Sequence, residues 1–188
     1  EWNPDALRYA LASVLPEQAD SEISEQEMIR RNNEELVAAW GNLVQRVFAQ
    51  INNNFDKLGD ISESEKIDKK LIFGFEEAYK NIGNLIEKVE LKSALQESMR
   101  CVSQVNAYLN ETEPWKIIKD DTKRAGRVLY TSLQAIDSCA NLLYPFMPAT
   151  SENVRNAIPK TTECKWGVNE IKRGVELGQL ELLFKKFD

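Results

Sequence analysis

Apolar positions recur at helical spacing along most of the chain, and nowhere alternate as a half-buried strand requires. The clearest stretch is Leu36 to Phe55, LVAAWGNLVQRVFAQINNNF. At about 100° per residue, Leu36, Val37, Trp40, Leu43, Val44, Val47, Phe48, Ile51 and Phe55 fall in one arc. Asn42, Arg46 and Asn53 fall opposite, with the small Ala49 among them. Upstream, Ser24 and Glu27 match a capping box, so the helix is predicted to run from Ser24 to about Asn54, roughly eight turns.

Further helices follow from the same pattern. Pro4 to Leu15 carries Leu7, Leu11 and Val14 on one face, with Pro4 and Asp5 suited to a first turn and Pro16 as a stop. Glu17 to Ser24 reads as a polar, acidic connection. After the turn at Gly59, Ser62 or Ser64 is the expected cap of a helix from Glu65 to Val89, with Ile67, Leu71, Phe75, Ala78, Ile82, Leu85 and Val89 inward. Gly74 and Gly83 within it imply a packing reason, since each weakens a helix by about 1 kcal/mol relative to alanine. Another helix is expected from Glu90 to Leu109, with Asn106 near its apolar arc as a satisfied buried amide. Thr122 is expected to cap a helix from Lys123 to about Tyr144, and Thr150 or Ser151 a short one ending at Ile158. From Lys160 the chain has no period, and Leu180 to Phe184 is expected to dock on the bundle or on chain outside this sequence. The expected fold is all-α, an antiparallel helical bundle of about five principal helices.

Composition narrows the function. The chain has 188 residues, 43% of them hydrophobic, without the run of about 20 apolar residues that a membrane helix needs. It begins Glu1-Trp2-Asn3-Pro4 without a methionine, which reads as a fragment or a processed chain. The net charge is −6, against non-specific nucleic-acid binding but compatible with a local RNA site. There is no histidine, which removes Ser-His and Cys-His catalysis and Cys/His zinc sites. Three separated cysteines, Cys101, Cys139 and Cys164, cannot build a four-cysteine site and read as reduced thiols of a cytosolic protein. No phosphate-cradling glycine loop is present, and Glu76-Glu77 and Asp120-Asp121 read as solvated helix surface rather than acid–base pairs.

Two features carry candidate chemistry. Asn42 and Arg46, four apart, set an amide and a guanidinium side by side, a pair suited to the edge of a base; the alternative is an ordinary solvated face. Pro114-Trp115 follows a helix-like run. Proline restricts the residue before it to extended backbone, and an indole fixed there is a stacking platform for an unpaired base; the alternative is a core tryptophan plugging a helix junction.

Several short motifs occur in order: Asp5-Ala6-Leu7-Arg8-Tyr9, Asn33-x-Glu35-Leu36, Gly41-Asn42-Leu43-Val44-x-Arg46, Asn106-x-Tyr108, Pro114-Trp115 and Pro145-Phe146-Met147-Pro148. Together they resemble the C-terminal region of the methionyl-tRNA synthetases, class I aminoacyl-tRNA synthetases. Leu180 to Phe184 resembles the family's closing segment more loosely, and Trp40 stands where a smaller apolar residue is usual. The resemblance implies residues 1–24 as a connector from an absent catalytic domain, 25–158 as a helical anticodon-binding domain, and 159–188 as a tail packing on the bundle or the catalytic domain. It implies that Asn42 and Arg46 contact the first base of the CAU anticodon and that Trp115, after Pro114, stacks on that cytosine. The implied partners are the anticodon loop of methionine tRNA and the chain's own catalytic domain, with neither membrane nor DNA. No catalytic residue, metal or cofactor is expected in this region; ATP and methionine would bind the catalytic domain, whose His-Ile-Gly-His and Lys-Met-Ser-Lys-Ser signatures are missing here. The location implied is the cytoplasm. The rival readings are a free-standing helical protein–protein interaction module and, more remotely, a small intact enzyme.

Overall fold

The computed structural model describes residues 2–16, 23–161 and 163–187; of the connection expected at 17–24, residues 17–22 lie outside them. The helices are α1 (Pro4–Ser13), α2 (Glu25–Arg31), a π-helical segment (Asn32–Gly41), α3 (Asn42–Asn54), α4 (Lys66–Glu87), α5 (Leu91–Thr112), α6 (Pro114–Ile117), α7 (Thr122–Leu143) and α8 (Pro148–Ala157). No sheet strand occurs among the described residues, only an isolated antiparallel bridge between Lys160 and Ile171. The chain is therefore the all-α bundle that its periodicity predicts.

The long helix from Glu25 to Asn54 is continuous, because Arg31, Asn32, Gly41 and Asn42 all keep right-handed helical dihedrals. Its middle is wider than a 3.6-residue wheel assumes. Asn42 N–H reaches Val37 O, five residues back, as a π-helix requires. Leu36, Trp40, Leu43, Val44, Val47, Phe48 and Ile51 are nevertheless all buried. Trp40 is completely enclosed, with its indole N–H left without an acceptor.

α5 packs between α4 and α7. Tyr108, late in α5, meets Asp68, early in α4, while Ser98, early in α5, meets Leu142, late in α7. Hence α5 runs antiparallel to both neighbours. α7 is the central member: from Ala125 to Leu143 every residue except Gln134 is buried.

The starts of α1 and α2 are those expected, and those of α4, α7 and α8 differ. Asn3 caps α1 by accepting from Asp5 N–H at 2.8 Å. Ser24 does cap α2, but Glu27 turns to Arg30 and Arg31 instead of back to the cap. The cap of α4 is Glu65 rather than Ser62 or Ser64, in a reciprocal box with Asp68. Asp121, not Thr122, caps α7. α8 starts at Pro148 without a cap of its own, and buried Asp5 of α1 supplies one, accepting from Thr150 N–H at 2.7 Å and from its hydroxyl at 2.9 Å. A carboxylate at a helix N-terminus is favourable wherever it comes from.

α4 ends before Val89, which is 71% exposed at φ 63° instead of inward. Its neighbours close a Schellman-type end: Glu90 N–H bonds Leu85 O, and Val89 N–H bonds Ile86 O. The glycine expectation holds at Gly83, where an added Cβ would lie 3.3 Å from Trp166 Nε1, and fails at Gly74, which has nothing within 4 Å.

Beyond α8 the described residues form neither helix nor strand, and helix side chains take up their backbone groups. Tyr130 donates to Ile171 O, Gln134 to Asn169 O and Asn141 to Lys165 O. Lys160 reaches buried Asp137 at 2.8 Å. The last residues lie along α1 and the π segment. Asn32 donates to Lys185 O, Asn33 both donates to Phe187 O and accepts from Phe187 N–H, and the Phe187 ring meets Trp2 at 4.3 Å.

Candidate nucleic-acid interface

Arg46 and Asn42 leave the same helix one turn apart, in different settings. Asn42 is exposed, as the wheel predicts, and forms no side-chain hydrogen bond with another described residue. Arg46 is half-buried. Its Nη2 donates to Asn106 Oδ1 at 3.3 Å, and its Cζ lies 5.5 Å from the Trp115 ring centroid. Among the described residues no carboxylate pairs with it, and its Nε is buried without an acceptor. Arg46 therefore lies in the seam between α3, α5 and α6 rather than on an open polar face. The wheel misses this because it shows where a helix's own core lies, not where a neighbour's edge begins.

Trp115 stands in α6, a four-residue helix opened by Pro114. Pro114 is buried. Trp115 is partly buried, packed against the core, with the Arg46 guanidinium 5.5 Å from its ring centroid. It is neither a plug in the core nor a freely standing ring. The corner before it also differs from expectation. Glu113 adopts the left-handed conformation, φ 41° and ψ 58°, instead of the extended backbone usual before proline. The reason is the end of α5: Glu113 N–H bonds Leu109 O at 2.9 Å, while its carbonyl accepts from Lys116 N–H at 2.8 Å, so one residue closes one helix and opens the next. Its side chain pairs with Lys116 across the turn. A non-glycine residue in this region costs of order 1–3 kcal/mol, and such residues concentrate where a side chain must be aimed.

Asn106 joins the parts. It accepts from Arg46 and donates to Ala39 O of the π segment at 3.1 Å and to Val102 O at 3.2 Å. It is the satisfied amide the sequence suggests, but satisfied by the site itself. The sequence shows its place near an apolar arc; the identity of its partners needs the packing of α5 on the long helix.

Two residues further along α5, Tyr108 donates to Asp68 Oδ1 at 2.5 Å. Arg124 of α7 grips the same carboxylate at 2.5 and 3.0 Å, and Glu65 N–H donates to it at 2.9 Å. Burial pulls the Asp68 pKa upward, but the bonds from Arg124, Tyr108 and Glu65 prevail and hold it below the ordinary carboxylate value. Burial, together with the Asp68 charge, raises Tyr108. This cluster ties the end of α5 to α4 and α7.

Burial pushes the Cys101 thiol up to about 11 and raises Cys139 as well, so neither is a ready nucleophile. Among the described residues no group of three or more metal-ligating side chains converges, and no helix is long and apolar enough to cross a membrane. What the site offers is donors and a partly exposed aromatic surface, the equipment for holding an unstacked base.

Comparison with known proteins gives the same class. A family model described as the anticodon binding domain of methionyl tRNA ligase matches residues 58–188, and the model of class I tRNA synthetases of the methionine type matches residues 1–48. The methionine–tRNA ligase of Bifidobacterium adolescentis is 42% identical over 84% of this chain, and that of Beutenbergia cavernae 39% over 85%. In both cases the aligned part is 26% of the relative, so the chain spans about a quarter of their length. The fold matches apo methionyl-tRNA synthetase of Mycobacterium tuberculosis with a TM-score of 0.89, over 98% of this chain and 39% of that one, at 21% identity. The same enzyme in complex with methionyl-adenylate gives 0.87. The chain thus carries a class I synthetase anticodon-binding domain. It belongs to the methionyl-tRNA synthetase family, and the free-standing interaction module and the small intact enzyme give way to that membership.

Proposed function

We propose that this domain recognises the CAU anticodon of methionine tRNAs, with Asn42, Arg46, Pro114 and Trp115 forming the pocket for the first base. The observation that carries the reading is the Arg46 guanidinium set over the Trp115 indole and tied to Asn106. A base laid on the indole beside that guanidinium turns its Watson–Crick edge toward N–H groups. Arginine only donates, so it suits the O2 and N3 acceptors of cytosine, while the exposed Asn42 amide can donate or accept. Pro114 and left-handed Glu113 fix the ring before RNA arrives, which lowers the ordering cost of binding.

In the whole protein, a catalytic domain would bind ATP and methionine and attach methionine to the tRNA selected here. The working location is the cytoplasm. In this scheme residues 1–24 join the two domains, 25–158 carry the recognition surface and 159–188 brace it. The test is binding of the chain to a methionine tRNA anticodon stem-loop, beside the same stem with a scrambled loop. Preferential binding of the CAU loop is the expected result; equal binding of both would overturn the reading.

A further inference from the structure

One turn beyond Arg124, whose guanidinium is spent on Asp68 and Glu65, α7 carries Arg127. Arg127 is only 5% exposed, yet among the described residues no carboxylate pairs with it. Its Nε donates to Ser62 O at 2.6 Å. Its two terminal nitrogens form no hydrogen bond and are not among the buried atoms left without a partner, so they reach solvent. A second guanidinium shares its aromatic neighbour. Arg127 lies 5.5 Å from the Tyr130 ring centroid and Arg173, from the tail, 5.0 Å from the same centroid. Arg173 is exposed and likewise without an ion pair among the described residues.

The local fold holds this pair in place. Tyr130 is buried and tied through its hydroxyl to Ile171 O, two residues before Arg173. Gly174 N–H bonds Leu58 O, bringing the tail against the loop that supplies Ser62. The nearby acids do not neutralise the pair. Asp68 is occupied by Arg124 and Tyr108, Glu63 is exposed, and Asp60 pairs with Lys123. Burial and the Arg173 charge lower the Arg127 pKa, outweighing the pull of Asp68 and Glu63.

We propose that Arg127 and Arg173 form a phosphate site, which takes a backbone phosphodiester of the same RNA whose base is read at Arg46 and Trp115. It rests on the anticodon reading and extends it. A nearly buried guanidinium without an acid is costly unless an anion completes it, and two donor forks suit the oxygens of one phosphate. Chain order links the two sites. α7 follows α6, which carries Trp115, after four residues, and Arg127 lies about 8 Å along the axis from Thr122. With a net charge of −6, phosphate contacts are best supplied by individually placed cations.

The test is a salt titration of binding to CAU and UAU anticodon stem-loops by the full chain, by Arg173→Gln and by Arg127→Gln, with melting curves for each. Arg173 is exposed, so that variant keeps its fold and decides the matter even where Arg127→Gln unfolds. Each folded variant is expected to bind both loops about fivefold more weakly at 0.1 M salt, and the slope of log affinity against log salt should fall by about one. An unchanged slope in Arg173→Gln, or a loss confined to the CAU loop, would overturn the proposal while leaving the anticodon reading intact. Wild-type chain with no preference for CAU would instead bring down the reading on which it rests.

Discussion

Two residues of α5, Asn106 and Tyr108, hold two arginines in opposite ways. At Tyr108 the arginine is closed: all three Arg124 nitrogens reach carboxylates, Nη1 and Nη2 on Asp68 and Nε on Glu65. At Asn106 the arginine is open: Arg46 has one neutral acceptor, one aromatic neighbour and a buried Nε with nothing to bond. Residue types are nearly the same in both places, an arginine, an aromatic ring and a polar partner. What separates a structural arginine from one available to a ligand is whether a carboxylate has already taken it. Arg127 belongs with the open kind.

The closed cluster should give the largest effects, and they should be on stability. Asp68→Ala leaves Arg124 and the Tyr108 hydroxyl without their partner in a buried site, and should cost about 3–5 kcal/mol in urea unfolding. At temperatures where the variant stays folded, its affinity for the CAU loop should be unchanged. A small stability loss with a large loss of binding would invert the comparison. Acid should act through the same residue. The Asp68 pKa is lower folded than unfolded, so its contribution is complete above the ordinary carboxylate range and is lost as pH falls through the folded value. Asp68→Asn should therefore flatten the decline in stability expected below about pH 4.

The open cluster should respond next, and in binding. Trp115→Ala should weaken CAU and UAU loops together by about ten- to a hundredfold, because stacking tolerates any base, and Trp115→Phe should keep part of the affinity. Unchanged CAU binding in Trp115→Ala would make the indole a packing residue only.

The smallest effects should come at the two ends of α5, where Val89 and Glu113 sit at φ 63° and 41°. Val89→Gly should stabilise by about 1 kcal/mol and leave RNA binding alone. Glu113→Gly relieves the same kind of strain but loosens the corner that aims Trp115, so its gain in melting temperature should come with weaker binding. Equal behaviour of the two variants would remove the case for a preorganised corner.

The parts of this molecule legible in its sequence are those with a local cause. Leu36 to Ile51 predicted its own buried face, and Asn42 its exposure, because one helix determines both. The π turn did not show, since sequences that form it look helical; the buried set tolerated it because Leu36 and Trp40 lie one turn apart in either geometry. Of the missed caps, those of α4 and α7 are acidic neighbours of the hydroxyls expected, whereas nothing near Pro148 announces that Asp5 will serve α8. The tail had no period because side chains from elsewhere satisfy its backbone, as Asn33 does for Phe187. In the site, Arg46 and Trp115 could be picked out by type and spacing. Asn106 as their link required two helices to be docked.

The central claim is that Arg46 is open so that its planar fork, and not merely its charge, can read a base edge. Arg46→Lys tests this most directly, because it keeps the charge and removes the fork. The quantity to measure is the ratio of CAU to UAU stem-loop affinity, wild type against variant, at one salt concentration. The account predicts that the ratio falls toward one while UAU binding changes little. A ratio that survives in the lysine variant would contradict it and move the discrimination elsewhere, with Asn42 the next residue to test.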